Sequence, residues 1–169
     1  MPESRASAHF VVSRDGRTTQ LVELVMKAWH AGTSEMQVGK EVLSDASRFT
    51  IGVELANCGL LQKIGDDFFY EVGRDLKLYR GPEPVRASLH YDDGHAVAGW
   101  WEPYQDAQMD ALQDLLRALT ARGHGEAAAN LVGHEEVAVP LGRKTDPGPL
   151  FPWGRFMRRI PLRTQTGIA

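Results

Sequence analysis

Alternating apolar and polar positions mark two short extended runs near the start of the chain, 8–13 and 18–24, within "AHFVVSRDGRTTQLVEL". Asp15-Gly16 between them supplies the positive φ that a tight turn needs, so the pattern predicts a β-hairpin. The next stretch, "WHAGTSEMQVGKEVLSDASR" (29–48), mixes small and polar residues with weak periodicity and reads as a surface loop with a helical turn or two. "FTIGVEL" (49–55) is apolar and β-branched and is followed by turn-forming Asn57 and Gly59; this predicts a buried strand with Glu54 near its C-terminal end. From 60 to 104 the pattern is least regular, with "DDFFYEV" and "VRASLHY" as short strands on either side of Gly81-Pro82-Glu83-Pro84. It reads as an irregular insert on the core. Between 106 and 122, Met109, Leu112, Leu115, Leu116 and Leu119 recur at helical spacing, and Gly123 is placed to end the helix. "AANLVGH" predicts a last strand running up to His134, a proline-rich loop follows, and "WGRFMRRI" predicts a short basic helix. No internal repeat or low-complexity segment interrupts this order.

Composition narrows the class. A chain of 169 residues fits one domain with a core large enough to fold alone. With 43% hydrophobic residues, 24% charged residues and a net charge of −3, the sequence suggests neither disorder nor a nucleic-acid partner. Cys58 is the single cysteine, which excludes an internal disulfide framework and any multi-cysteine zinc site. The sequence has no apolar run of about 18 residues, so no transmembrane helix is expected. "MPESRASAHF" lacks the basic-then-apolar order of a signal peptide, and the expected location is the cytoplasm.

The candidate chemistry gathers in "VGHEEVAVPLGRKTDPGPLFPW" (132–153). His134 and Asp146 are both of zinc-ligating type, and Pro140, Pro147 and Pro149 stiffen the chain around them. The same residues read equally as a hydrogen-bonded histidine at a strand end and an aspartate that starts a turn. Glu54, if buried in its apolar run, would have a raised pKa suited to a general acid or base; simple alternation would instead point it at solvent. Lys144 is either a solvated loop lysine or a cation placed to stabilise an oxyanion. His9 in "SAHF" and His30 in "AWHAG" either line a groove or pack as ordinary histidines, and His90, His95 and His124 receive no role. Ser7, Ser44 and Cys58 lack the surroundings of a nucleophile.

Taken in order, "SAHFVVSRDG", "AWHAG", "FTIGVEL" and "VGHEEVAVPLGRKTDPGP" resemble the zinc-dependent N-acetylmuramoyl-L-alanine amidases of the amidase type 2 family, relatives of peptidoglycan recognition proteins and of amidase-type phage lysozymes. The resemblance runs from about residue 7 to 156. It implies an α/β fold with a mixed central β-sheet flanked by helices, in a single domain over 1–169. It also implies His134 and Asp146 as zinc ligands, Glu54 as the catalytic glutamate and Lys144 as the lysine that stabilises the transition state. His9, Trp29 and His30 would lie along the substrate groove. The implied reaction is hydrolysis of the amide joining N-acetylmuramic acid to L-alanine of the stem peptide, with zinc as cofactor and peptidoglycan or a muropeptide as partner.

One departure bears on that implication. The family carries a further zinc-ligating histidine on its first core strand, ahead of the "SAHF" hairpin, and this chain begins only eight residues before His9. A catalytic zinc takes three protein ligands and a water; the family-matched positions supply two. Three explanations are open: a start that lies upstream of Met1, recruitment of a histidine such as His9, or a domain that binds muropeptides without cleaving them.

Overall fold

The computed structural model describes residues 6–125 and 130–156. The expected N-terminal hairpin is present: β1 (Phe10–Val12) pairs antiparallel with β2 (Thr18–Gln20). Its turn closes through Ser13, whose carbonyl accepts from Gly16 N and whose N–H donates to Arg17 O, both at 2.9 Å. Gly16 has φ 83°, and a Cβ there would lie 2.6 Å from the Ala107 carbonyl oxygen, so only glycine meets both demands.

The segment expected as a loop instead contains a second hairpin, β3 (Glu35–Val38) with β4 (Glu41–Ser44). Gly39, at φ 61°, and Lys40 make its two-residue turn. The strands were obscured because most of their side chains face solvent, leaving no apolar face for alternation to reveal. The expected helical turn follows as a single 3-10 turn, Ala46–Arg48. The strand expected over 49–55 is shorter and less buried than the sequence suggested: β5 is Val53–Leu55, with Glu54 exposed between two half-buried neighbours. Thr50 Oγ1 bonds back to Ala46 O at 2.7 Å, which holds the preceding residues in the 3-10 turn. β5 runs parallel to β1 in the order β2-β1-β5, giving a mixed three-stranded sheet.

Residues 60–101 form a regular antiparallel sheet, which corrects the expectation of an irregular insert. Its strands are β6 (Leu60–Ile64), β7 (Asp67–Val72), β8 (Asp75–Leu78), β9 (Val85–His90) and β10 (Ala96–Trp101), in the order β8-β7-β6-β10-β9. The two strands expected from sequence are β7 and β9. β6 and β8 were hidden because their residues are largely exposed on both faces, and β10 because its alternation runs through small residues, Ala96, Ala98 and Gly99, that leave a weak pattern. The sheet is fastened to the first hairpin by Glu102, which is 2% exposed. Glu102 takes a bidentate bond from Arg14 (Nε 2.6 Å, Nη2 2.9 Å) and another from the Cys58 N–H.

The helix α1 (Asp106–Ala121) follows as expected and ends where His124 N bonds Leu119 O and Gly123 turns to φ 84°. Its stripe of Met109, Leu112 and Leu116 packs with Phe151 and Phe156, and Val53 and Leu55 of β5 lie against this cluster. Each fully buried leucine contributes about 1.5–3 kcal/mol. Gln108 is buried on the same helix and donates to Val12 O (2.9 Å) and Ala56 O (3.1 Å), so α1 grips the ends of β1 and β5 together. The strand expected up to His134 is not formed at 130–133; His134 instead opens the helical turn α2 (His134–Val137). Gly133 N donates to the Glu136 carboxylate at 2.6 Å and Glu136 N returns to Gly133 O, a local pairing that favours a helical start over sheet pairing. Residues 128 and 129 of that expectation lie outside the described residues. The expected terminal helix begins as α3 (Trp153–Phe156), and the rest of it also lies outside. Among the described residues the architecture is thus mixed α/β, with three sheets and flanking helices. Among the described residues, no helix is long and apolar enough to cross a membrane.

Candidate active site

Strand alternation separates structure from chemistry at β5. Val53 and Leu55 turn toward α1, so Glu54, paired in register with Val11, projects to the opposite side. There it lines a groove with Trp29, His30, His134, Lys144 and Asp146, and an adjoining cavity of about 180 Å³, shared by Glu54, His30, His134 and Asp146, reaches back to Leu112 of α1. Although the residue keeps solvent access, its carboxyl is pushed above the ordinary glutamate value. Loss of water around it is the main cause and the Asp146 charge adds to it, while His134 and Lys144 oppose.

His134 is placed by the start of α2 and by two ring contacts: Nδ1 lies 2.9 Å from Asp146 Oδ2, and Nε2 lies 3.1 Å from Ala31 O. A backbone carbonyl only accepts, so Nε2 carries the proton of that bond and Nδ1 is the nitrogen turned toward Asp146. For Asp146, burial pushes the pKa up, but the His134 hydrogen bond and charge, helped by Lys144, bring it below the ordinary value. The loop carrying Lys144 and Asp146 is held to the 31–34 segment by Arg143, which donates to Thr33 O (2.6 Å), Ala31 O (3.3 Å) and Val139 O (2.9 Å). Val139 N adds a bond to Thr33 O, and Ser34 bridges to Ala138.

His30 reaches the cavity because residue 52 is glycine; a Cβ there would lie 2.3 Å from His30 Cγ. Its Nε2 meets Thr50 Oγ1 at 2.9 Å and its Nδ1 meets Ala28 O at 3.1 Å. Burial lowers its pKa, and the nearby His9 and His134 push the same way. Trp29 is 45% exposed on the groove, with Lys27 Nζ 3.7 Å above its ring. His9 is placed differently from the other groove candidates. It is 2% exposed, lines neither cavity nor groove, and is held by Gly52 N on Nδ1 (2.9 Å) and Met26 O on Nε2 (3.0 Å). Its ring packs edge-on behind His30, 5.8 Å between centroids, so its place is structural support of that side chain.

The structure therefore brings together Glu54, His134, Lys144, Asp146, His30 and Trp29, and sets His9 behind them. A catalytic zinc needs three protein donors. His134 Nδ1 and Asp146 converge as two, with the Nε2 bond to Ala31 O acting as the orienting contact such a ligand uses. No group of three His, Cys, Asp or Glu residues suited to a metal occurs among the described residues. The described donors thus do not fit a complete zinc centre. Residues that sequence reasoning passed over also serve the site: Arg143, Thr50, Tyr91, whose hydroxyl donates to Lys144 O at 2.9 Å, and Tyr104, whose hydroxyl donates to Pro147 O at 2.8 Å. Their contacts join positions far apart in sequence, and no local spacing announces them.

Residues 2–149 match the family model described as N-acetylmuramoyl-L-alanine amidase. The chain is 32% identical over 160 residues to 1,6-anhydro-N-acetylmuramyl-L-alanine amidase AmpD of Escherichia coli (strain K12), covering 95% of this chain and 61% of that protein. It is 30% identical over 166 residues to N-acetylmuramoyl-L-alanine amidase AmiD of the same organism, covering 94% and 46%. Among solved structures it is similar to a selenomethionine derivative of AmpD (TM-score 0.56, 29% identity, 91% of this chain and 59% of that one). It is also similar to AmpDh3 of Pseudomonas aeruginosa in complex with anhydromuramic pentapeptide (TM-score 0.56, 26% identity, 89% and 49%). The chain spans about 60% of the length of the AmpD proteins it matches.

Proposed function

Since the chain belongs to the N-acetylmuramoyl-L-alanine amidase family, we propose that it hydrolyses the amide bond between N-acetylmuramic acid and L-alanine of a peptidoglycan stem peptide. The convergence of Glu54, His134, Lys144 and Asp146 on one groove beside Trp29 and His30 carries this reading. Glu54 takes a proton from the attacking water, whose oxygen bonds to the amide carbon, and the raised pKa of its carboxyl suits that exchange. The Lys144 ammonium stabilises the oxyanion that forms. As the carbon–nitrogen bond breaks, Glu54 returns the proton to the departing alanyl amine, and the remaining hydroxyl proton of the new lactyl carboxyl group passes to the amine, leaving a carboxylate and an ammonium. Trp29 offers an exposed ring to the sugar or peptide, and His30, fixed by Thr50, lines the same groove.

Family members are generally zinc enzymes. We propose His134 and Asp146 as this chain's share of such a site. The two-donor count also supports a second reading, a domain that binds muropeptides without cleaving them. Both are tested by incubating the purified chain with a muropeptide, following stem-peptide release by chromatography and measuring bound zinc. Release that falls about 10²–10⁴-fold in Glu54→Gln, with zinc lost in His134→Ala, upholds the amidase reading. Muropeptide binding with neither release nor zinc overturns it in favour of the second.

A further inference from the structure

The 85–104 segment touches the loop that carries Lys144 and Asp146 at four points. Tyr91, buried just past the end of β9, donates its hydroxyl to Lys144 O at 2.9 Å. Tyr104, between β10 and α1, donates to Pro147 O at 2.8 Å. The Trp101 ring lies against Gly148, where an added Cβ would come within 2.9 Å of it. The His95 ring, stacked on Tyr91 with centroids 4.3 Å apart, lies against Gly142, where an added Cβ would also come within 2.9 Å. Between the two phenols, Asp146 O accepts from Glu135 N at 2.9 Å. The backbone on both sides of Asp146 is thus tied down, and two of the ties come from side chains that no step of the reaction uses.

We propose that Tyr91 is a positioning residue for the amidase reaction: its hydroxyl, backed by the His95 stack and assisted by Trp101 and Tyr104, fixes the Lys144 backbone so that the ammonium meets the developing oxyanion. The 60–101 sheet is then a working part of the site and more than an appendage to the core. This rests on the amidase reading for its catalytic consequence, while the bracing of the loop stands independently of it. The physical basis is that a tethered loop holds its side chains in reacting geometry without ordering them at each turnover, and small misplacements are costly in rate. Removing one hydroxyl leaves the Lys144 carbonyl without its donor and frees the chain to wander around that point.

The test compares wild type with Tyr91→Phe, which keeps the ring and its stack, and with Tyr70→Phe on the same sheet as the control. Two measurements are made: kcat and KM on a muropeptide, and amide hydrogen exchange over residues 140–148. The expected result for Tyr91→Phe is kcat lower by about tenfold, KM within about twofold, and faster exchange confined to 140–148, with Tyr70→Phe matching wild type in both. A rise in KM at unchanged kcat would reassign Tyr91 to substrate contact and overturn the proposal. Unchanged exchange, or equal effects from Tyr70→Phe, would overturn it as well. If wild type cleaves nothing, the amidase reading fails on its own, and the exchange comparison still decides the brace: faster exchange at 140–148 upholds it and no change refutes it.

Discussion

Replacing Arg14 by methionine isolates what holds the 60–101 sheet to the rest of the molecule. Glu102 is almost entirely buried and its carboxylate is served by both guanidinium bonds of Arg14 and by the Cys58 N–H. Burial alone would raise its pKa, but the Arg14 and Cys58 bonds bring it below the ordinary glutamate value. Removing one partner of a buried pair costs about 3–5 kcal/mol because the remaining charge stays desolvated. Arg14 is 44% exposed, which places the expected loss at the low end, about 3 kcal/mol. At about 2–4 °C per kcal/mol for a chain of this size, the melting temperature falls by about 6–12 °C at pH 7. The pH dependence carries a sign. A carboxylate whose folded pKa is depressed contributes stability above its unfolded pKa and loses it as pH falls through the folded value. The gap between wild type and Arg14→Met therefore narrows as the melts are moved from pH 7 to below the ordinary glutamate value, where Glu102 of the variant is protonated and costs less to bury. Calorimetry of Arg14→Met, Glu102→Leu and the double variant at both pH values checks this. A coupling energy below about 0.5 kcal/mol, within the error of additivity, or a gap that does not change with pH, would refute the reasoning.

Three further outcomes are expected. The acid limb of the kcat profile lies above the ordinary glutamate value because catalysis needs ionised Glu54 and its pKa is raised; Lys144→Met moves that limb further up, since the lysine charge favours the carboxylate. Gly52→Ala drives His30 off its Thr50 bond, which is checked by loss of its imidazole environment in NMR and by a fall in muropeptide affinity. Leu112→Ala, at a fully buried position facing Val53 and Leu55, destabilises by about 2–5 kcal/mol in urea unfolding.

What sequence could reveal followed the range of its signals. The Asp15-Gly16 turn, the leucine stripe of α1 and the β7 and β9 strands each rest on local chemistry, and all formed where the pattern placed them. The β3-β4 hairpin and the strands β6 and β8 escaped because a strand largely exposed on both faces shows no alternation, and β10 because small residues carry its pattern. At the site, Glu54, His134, Lys144 and Asp146 were legible as residue types in recognisable surroundings, whereas the grip of Arg143 on 31–33 and of Tyr91 on Lys144 was not. Those bonds join residues 53 to 112 positions apart, and such pairs leave no period to read. His9 shows the converse error: a histidine beside a recognised motif looked like a groove residue, yet its two ring nitrogens are spent on Met26 O and Gly52 N.

The charges around Glu54 permit a sharper separation between placing a group and supplying its charge. Asp146 raises the Glu54 pKa and Lys144 lowers it, and both sit on the loop braced by Arg143 from one side and by Tyr91 and Tyr104 from the other. Loosening the loop moves both charges relative to β5 together, so their opposing effects on Glu54 partly cancel and the acid limb stays nearly fixed while turnover falls. Neutralising Lys144 removes one side of the balance, so the acid limb must move upward along with the loss of rate. Lys144→Arg, which keeps the charge on a differently shaped group, should then leave the limb in place and lower kcat through geometry alone. The rate and the pH profile thus report on different causes: a fall in kcat with a fixed acid limb identifies a displaced group, and a fall with a raised limb identifies a missing charge.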